Sequence, residues 1–83
     1  MRIEIFISPN CPHCPPAKKL GERLKKEGWE VKYFNLGTPE GLAEAAYRDI
    51  LSTPSLILRD EEGREVKSWR GEVPSWEELR KWK

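Results

Sequence analysis

Along the first eight residues, Ile3, Ile5 and Ile7 alternate with Glu4, Phe6 and Ser8, the period of two that a β-strand imposes on its side chains. Ser8-Pro9-Asn10 breaks the pattern and reads as a loop. From Pro15 the apolar positions Ala17, Leu20 and Leu24 recur at helical spacing. Pro15 and Pro16 fit only the first turn of such a helix, where a missing N–H costs nothing. Gly28 ends it. Val31 to Leu36, rich in β-branched and aromatic residues, reads as a second strand. Its link to the first through one helix predicts a right-handed βαβ unit with parallel strands.

Thr38-Pro39-Glu40 has the signature of a helix start: an N-cap residue, a proline at the first helical position, and an acid near the positive end. Leu42, Ala46 and Ile50 are the expected buried stripe of this helix, and Ser52-Thr53-Pro54 its expected stop. Leu56-Ile57-Leu58 is an unbroken apolar run, as in a strand covered on both faces. Asp60-Glu61-Glu62-Gly63 reads as a hairpin turn, with Gly63 free to take a positive φ. Glu65 to Trp69 alternates again and suits an antiparallel edge strand. Ser75 with Glu78 forms a capping box for a short final helix carrying Trp76, Leu79 and Trp82. The order β-α-β-α-β-β-α predicts an α/β fold: one domain over residues 1–83, with a four-stranded mixed sheet and helices on both faces. The tryptophans, Trp29, Trp69, Trp76 and Trp82, are expected in core and edge packing.

Composition narrows the function classes. The chain has 83 residues, 37% hydrophobic and 35% charged, which suits one modest core. A net charge of +1 supplies no field for nucleic acid or an anionic membrane. The basic run Lys18, Lys19, Arg23, Lys25 and Lys26 falls on the first predicted helix beside Glu22 and Glu27. It reads as a solvated face, or else as a docking surface for an acidic partner. The chain opens directly on its first strand with no signal-peptide pattern or long apolar run, so a cytoplasmic location is expected. There is no glutamine and only two asparagines, a composition like that of thermophile proteins.

The candidate chemistry sits in Cys11-Pro12-His13-Cys14, which holds both cysteines of the chain. A pair at this spacing, where a strand hands over to a helix, is the layout of a dithiol redox centre. The positive end of the helix dipole helps a thiol there to ionise, and the thiolate is the attacking form. Other readings stay open. A zinc site normally takes four ligands, and one chain offers two cysteines plus His13; a metal or iron–sulfur cluster could instead be shared between two chains. A purely structural disulfide closing so short a loop contributes only ~2 kcal/mol before strain.

The cysteine motif after the first strand, together with Thr53-Pro54 before the third, resembles the thioredoxin/glutaredoxin superfamily over essentially the whole chain. The run Cys11-Pro12-His13-Cys14-Pro15-Pro16-Ala17-Lys18 is similar to the small glutaredoxin-like thioredoxins of archaea and thermophiles. The resemblance implies a thiol–disulfide oxidoreductase with no cofactor and no resident metal, expected as a monomer acting on disulfide-containing proteins. It implies that Cys11 attacks, that Cys14 resolves, and that His13, beside Pro12, and the N–H groups near Cys14 stabilise the Cys11 thiolate. It implies a cis bond before Pro54, backbone pairing of Thr53 with an extended substrate, and room for substrate backbone at Gly71.

Departures from the family pattern point to the reductant. Larger thioredoxins usually carry a tryptophan before the first cysteine, Gly-Pro between the two, and a buried aspartate in the preceding strand. The corresponding residues here are Asn10, Pro12-His13 and Ile5. Glutaredoxins commonly use a lysine three residues before the first cysteine, and a Gly-Gly turn with acids, to hold glutathione. This chain has Ser8 and Gly71-Glu72-Val73-Pro74 there. A flavin-dependent reductase of the thioredoxin-reductase type is therefore the expected reductant, with glutathione as the alternative.

Overall fold

The computed structural model describes residues 1–82. Strands β1 (Arg2–Ile7), β2 (Glu30–Asn35), β3 (Ser55–Arg59) and β4 (Glu65–Arg70) form one sheet in the order β2-β1-β3-β4. β1 pairs in parallel with β2 and antiparallel with β3, and β3 pairs antiparallel with β4. Helices α1 (Cys14–Lys26), α2 (Pro39–Tyr47) and α3 (Trp76–Leu79) complete the predicted order, and a 3₁₀ turn, Arg80–Trp82, follows α3. The fold is α/β with a four-stranded mixed sheet, as expected. Among the described residues no helix is long and apolar enough to cross a membrane.

The period-two pattern of β1 separates two cores rather than core from solvent. Ile3 and Ile5 pack with Ala17, Leu20 and Leu24 of α1 and with Leu56, Leu58, Trp69 and Leu79. Phe6 packs on the opposite face with Phe34, Ala45, Ile50 and Ile57. Trp29 and Trp69 are buried, while Trp76 and Trp82 lie partly buried against the α1-side core. α1 closes as its residue pattern predicts: Gly28 takes φ +91° just after the cap at Glu27. In the β3–β4 hairpin Gly63 takes φ +85°. At Ser75 only half of the capping box forms. The Ser75 hydroxyl accepts from the Glu78 N–H, whereas the Glu78 carboxylate accepts from Lys67 and the Trp69 indole.

The buried face of α2 differs from the expected one. Leu42 is 56% exposed and Ala46 is also exposed; Gly41 and Ala45 are the residues turned inward. The reason is proximity. A Cβ on Gly41 would stand 1.9 Å from the Asn35 carbonyl oxygen, so the helix can approach the end of β2 only where it has no side chain. Thr38 fixes this approach, donating its hydroxyl to the Asn35 carbonyl and accepting the Gly41 N–H as N-cap. α2 also stops earlier than Ser52. It ends at Tyr47, Arg48 caps it, and Asp49 turns at φ +57°, which sends Ile50 into the core from outside the helix.

Glu4 points toward α2, and at 2% exposure it is a buried charge. Its carboxylate accepts from Arg59 Nε at 2.9 Å and from Arg48 Nε and Nη2 at 3.0 and 3.2 Å. Burial alone would raise its pKa. The hydrogen bonds and positive charges of Arg59 and Arg48 outweigh burial and hold it below the ordinary 4.5.

Three outcomes follow from this packing. Because the folded pKa of Glu4 lies below the unfolded one, its contribution is complete above pH 4.5 and is lost as pH falls through the folded value. Thermal melts should therefore show a Tm that drops on acidification below that point, and Glu4→Gln should flatten the drop. Near neutral pH, urea unfolding of Glu4→Ala should show a loss of about 3–5 kcal/mol, the cost of stranding buried partner charges. Gly41→Ala should cost about 1–3 kcal/mol through the clash with Asn35; an unmoved urea midpoint would contradict the close approach of α2.

Candidate active site

Sheet topology brings three separate segments to one edge. β1 runs toward that edge and releases the loop 8–13; β3 starts from it and β4 ends at it. Phe6 pairs with Ser55 and Ser55 with Arg70, so the residues just beyond β1, just before β3 and just after β4 become neighbours. These are the segments that carry Cys11 to Cys14, Thr53-Pro54 and Gly71.

Cys11 and Cys14 are joined, with sulfurs 2.18 Å and Cα atoms 5.3 Å apart. Cys14, the first residue of α1, is only 2% exposed; Cys11 lies in the loop and is partly exposed. Of the two cysteines, Cys11 is thus the more accessible residue. His13 occupies the N-cap position, exposed, and its side chain caps no N–H. The first turn of α1 is unusual as an anion site. Of its residues Cys14, Pro15, Pro16 and Ala17, the two prolines supply no N–H. The Cys14 N–H is directed to the Cys11 carbonyl at 3.3 Å.

Facing the cysteine loop, the Thr53–Pro54 peptide is cis, as the resemblance implies. His13, Pro54 and Gly71 line one groove of about 370 Å³ together with Pro16, Glu72 and Val73. Gly71 takes φ +79°, a conformation that a side chain would strain. Pro12 is exposed on the loop between the cysteines. Thr53 lies beside the groove, its hydroxyl in a 2.8 Å hydrogen bond with the Ser8 hydroxyl. Among the described residues no backbone hydrogen bond engages the Thr53 main chain. The structure therefore gathers Cys11, His13, Cys14, Thr53, Pro54 and Gly71 at one edge of the sheet.

Several neighbours escaped the sequence reading as site residues. Ser8 marked only an absent lysine, yet it meets Thr53 from 45 residues away. Ser55, passed over in the sequence reading, is fully buried and bonds the Ser52 carbonyl and the Gly71 N–H. Arg70, which directly precedes Gly71, is drawn away by its bonds to the Arg48 carbonyl and the Ser68 hydroxyl. Short polar residues carry no periodic signal; the one available clue was position, two of them flanking Thr53-Pro54. Among the described residues no group of three His, Cys, Asp or Glu side chains is placed to hold a metal ion.

Such an edge, with a dithiol at a helix start opposite a cis-proline, can be compared with known proteins. Residues 1–83 match the family described as thioredoxin domain. A probable thioredoxin of Archaeoglobus fulgidus is 37% identical over 59 residues, covering 70% of this chain and 65% of that protein. The match thus spans slightly less than two thirds of that relative. A thioredoxin of Methanocaldococcus jannaschii is 36% identical over 61 residues, 70% of this chain and 69% of that one. Among solved structures, thioredoxin 1 of Thermosipho africanus superposes with a TM-score of 0.76 at 22% identity, covering 95% of this chain and 85% of that one. A thioredoxin of Thermus thermophilus superposes at 0.69 with 26% identity, covering 96% and 68%. Matched along its whole length, and more than a third identical to two archaeal thioredoxins over most of it, the chain belongs to the thioredoxin domain family.

Proposed function

We propose that this protein reduces disulfides in other proteins by thiol–disulfide exchange through the Cys11/Cys14 pair. The observation that carries the reading is the asymmetry of that pair, Cys11 partly exposed in the loop and its bonded partner Cys14 buried at the start of α1, at the sheet edge that also carries the groove. In the reduced protein, the Cys11 thiolate attacks one sulfur of the substrate disulfide. A mixed disulfide forms and the other substrate sulfur leaves as a thiolate. Cys14 then loses its proton and attacks Cys11. The second substrate thiol departs, and the Cys11–Cys14 disulfide of the oxidised protein results. Two electrons have moved from the protein dithiol to the substrate.

The unpaired main chain of Thr53 suits pairing with an extended substrate segment, and Gly71 leaves room for it on the opposite wall. His13, at the N-cap position, is the side chain that stabilises the Cys11 thiolate in this reading, where two prolines have removed N–H donors. A flavoenzyme of the thioredoxin-reductase type is the reductant in this reading, because Ser8 and the single glycine of the Gly71 turn lack the usual glutathione contacts. The setting is cytoplasmic, where a dithiol of this kind serves catalysis rather than architecture. Turnover of a protein disulfide with a thioredoxin reductase, and not with glutathione and its reductase, is the deciding assay. The reverse preference would make the protein a glutaredoxin, and a coloured dimer after anaerobic reconstitution would make it a cluster carrier.

Two outcomes follow at the site. Cys11→Ser should abolish disulfide reduction, whereas Cys14→Ser should accumulate mixed disulfides on Cys11, seen by mass spectrometry. Equal trapping on Cys14 in the Cys11→Ser protein would reverse the assignment. Stabilising a thiolate stabilises the reduced form, so removing that help makes the couple more reducing. His13→Gly should lower the potential by about 20–60 mV, on a scale where 30 mV is about 1.4 kcal/mol. Equilibration against dithiothreitol or glutathione buffers with thiol alkylation reads the shift, and an unchanged potential would remove His13 from the mechanism.

A further inference from the structure

We infer that the buried Ser55 hydroxyl is a positioning residue that holds the two walls of the groove at the spacing an extended polypeptide needs. The inference rests on the proposed disulfide exchange and adds a requirement for polypeptide substrates that small disulfides escape. Ser55 is the first residue of β3 and its side chain is wholly inaccessible. Its hydroxyl donates to the Ser52 carbonyl at 2.7 Å and accepts the Gly71 N–H at 3.2 Å. One atom thus ties the loop that leads into Thr53-Pro54 to the turn that leaves β4. These are the walls on either side of the space lined by Pro54 and Gly71.

The arrangement also sorts the polar groups of the edge. The Ser52 carbonyl, just before Thr53, and the N–H of the groove residue Gly71 are satisfied internally. The Thr53 main chain, between Ser52 and Pro54, keeps its hydrogen-bonding capacity for an incoming strand. The Ser8–Thr53 hydroxyl contact holds the third segment, so Thr53 is fixed from the cysteine side while Ser55 fixes it from the Gly71 side. A buried hydroxyl with donor and acceptor both engaged has one orientation, and it transmits that orientation to both loops. A substrate that only meets the Cys11 sulfur needs none of this. A segment that pairs with Thr53 and passes Gly71 needs both walls in register.

Dithiothreitol-driven reduction of insulin, compared with a single-turnover reaction of the reduced protein with 5,5′-dithiobis(2-nitrobenzoate), tests this. Ser55→Ala should raise KM for insulin about two- to tenfold, the fold-change expected for losing about one net hydrogen bond. The insulin kcat, the rate with the small aromatic disulfide and the Cys11–Cys14 potential should stay as in the unaltered protein. Ser55→Thr, which keeps the hydroxyl, should restore KM. An unchanged insulin KM in Ser55→Ala, or equal losses on insulin and the small disulfide, would overturn the inference. The proposed function alone would then survive; failure of the unaltered protein to reduce insulin faster than dithiothreitol does would remove both. A second measurement needs no variant. The Gly71 amide of the unaltered protein should be protected from hydrogen exchange, and exchange at the rate of an unstructured peptide would also overturn it.

Discussion

The Glu4 carboxylate, buried in the central strand, is the constraint around which the other parts are arranged. A charge at 2% exposure is tolerable only with its acceptor positions filled, and the fold brings Arg48 and Arg59 to fill them. Each arginine then extends the tie. Arg59 donates onward to the Gly63 carbonyl in the β3–β4 turn, and Arg48 donates to the Glu44 carbonyl and carboxylate in α2. The Arg48 carbonyl in turn accepts from Arg70 at the end of β4. One carboxylate in β1 therefore reaches α2, β3, the hairpin and β4. Replacing the whole cluster with apolar residues could match its stability. What an apolar cluster lacks is direction: hydrogen bonds specify which residue ends α2 and where.

That end point matters because the loop leading to Thr53-Pro54 begins there. With Arg48 fixed, Asp49 takes a left-handed turn, Ile50 drops into the core, and Leu51 is left 92% exposed ahead of Ser52-Thr53-Pro54. The loop thus arrives at the site edge from an anchored point five residues upstream of Thr53. Ser8 and Ser55 then fix its far end. Hydrogen bonds thus hold the segment on both sides of the proline.

Most of the architecture was legible because burial on two faces leaves strong patterns. Isoleucines at every second position of β1, the apolar run of β3 and the proline and glycine punctuation of α1 all formed the elements they predict. The cysteine pair and Thr53-Pro54 were legible for another reason: their spacing is tied to chemistry rather than to packing. The misreadings share one cause. Choosing Leu42 and Ala46 as the inner face of α2 assumes that larger apolar residues go inward, but the helix lies so close to Asn35 that only Gly41 fits. Glu4 looked like the polar half of an alternating strand, and nothing local signals that Arg48 and Arg59 will converge on it. Ser8 and Ser55 were silent likewise. A hydroxyl acquires its role from partners 45 and 16 residues away, and no period encodes such distances.

The prolines after Cys14 link this local sequence to redox chemistry. A thiolate at a helix start is ordinarily stabilised by the free N–H groups of the first turn as well as by the dipole they sum to. Pro15 and Pro16 begin the helix well, since their φ is preset, but they withdraw two of those donors from the place where the Cys11 charge develops. The same residues that secure the element therefore weaken its usual electrostatic service. The Cys14 N–H is already turned to the Cys11 carbonyl, and His13, at the N-cap position, is exposed and caps no N–H. The helix start is thereby left with fewer backbone donors than an ordinary first turn presents. Since thiolate stability sets both the attack rate and the poise of a dithiol couple, the proline pair that starts α1 so well bears directly on the exchange chemistry proposed for Cys11 and Cys14.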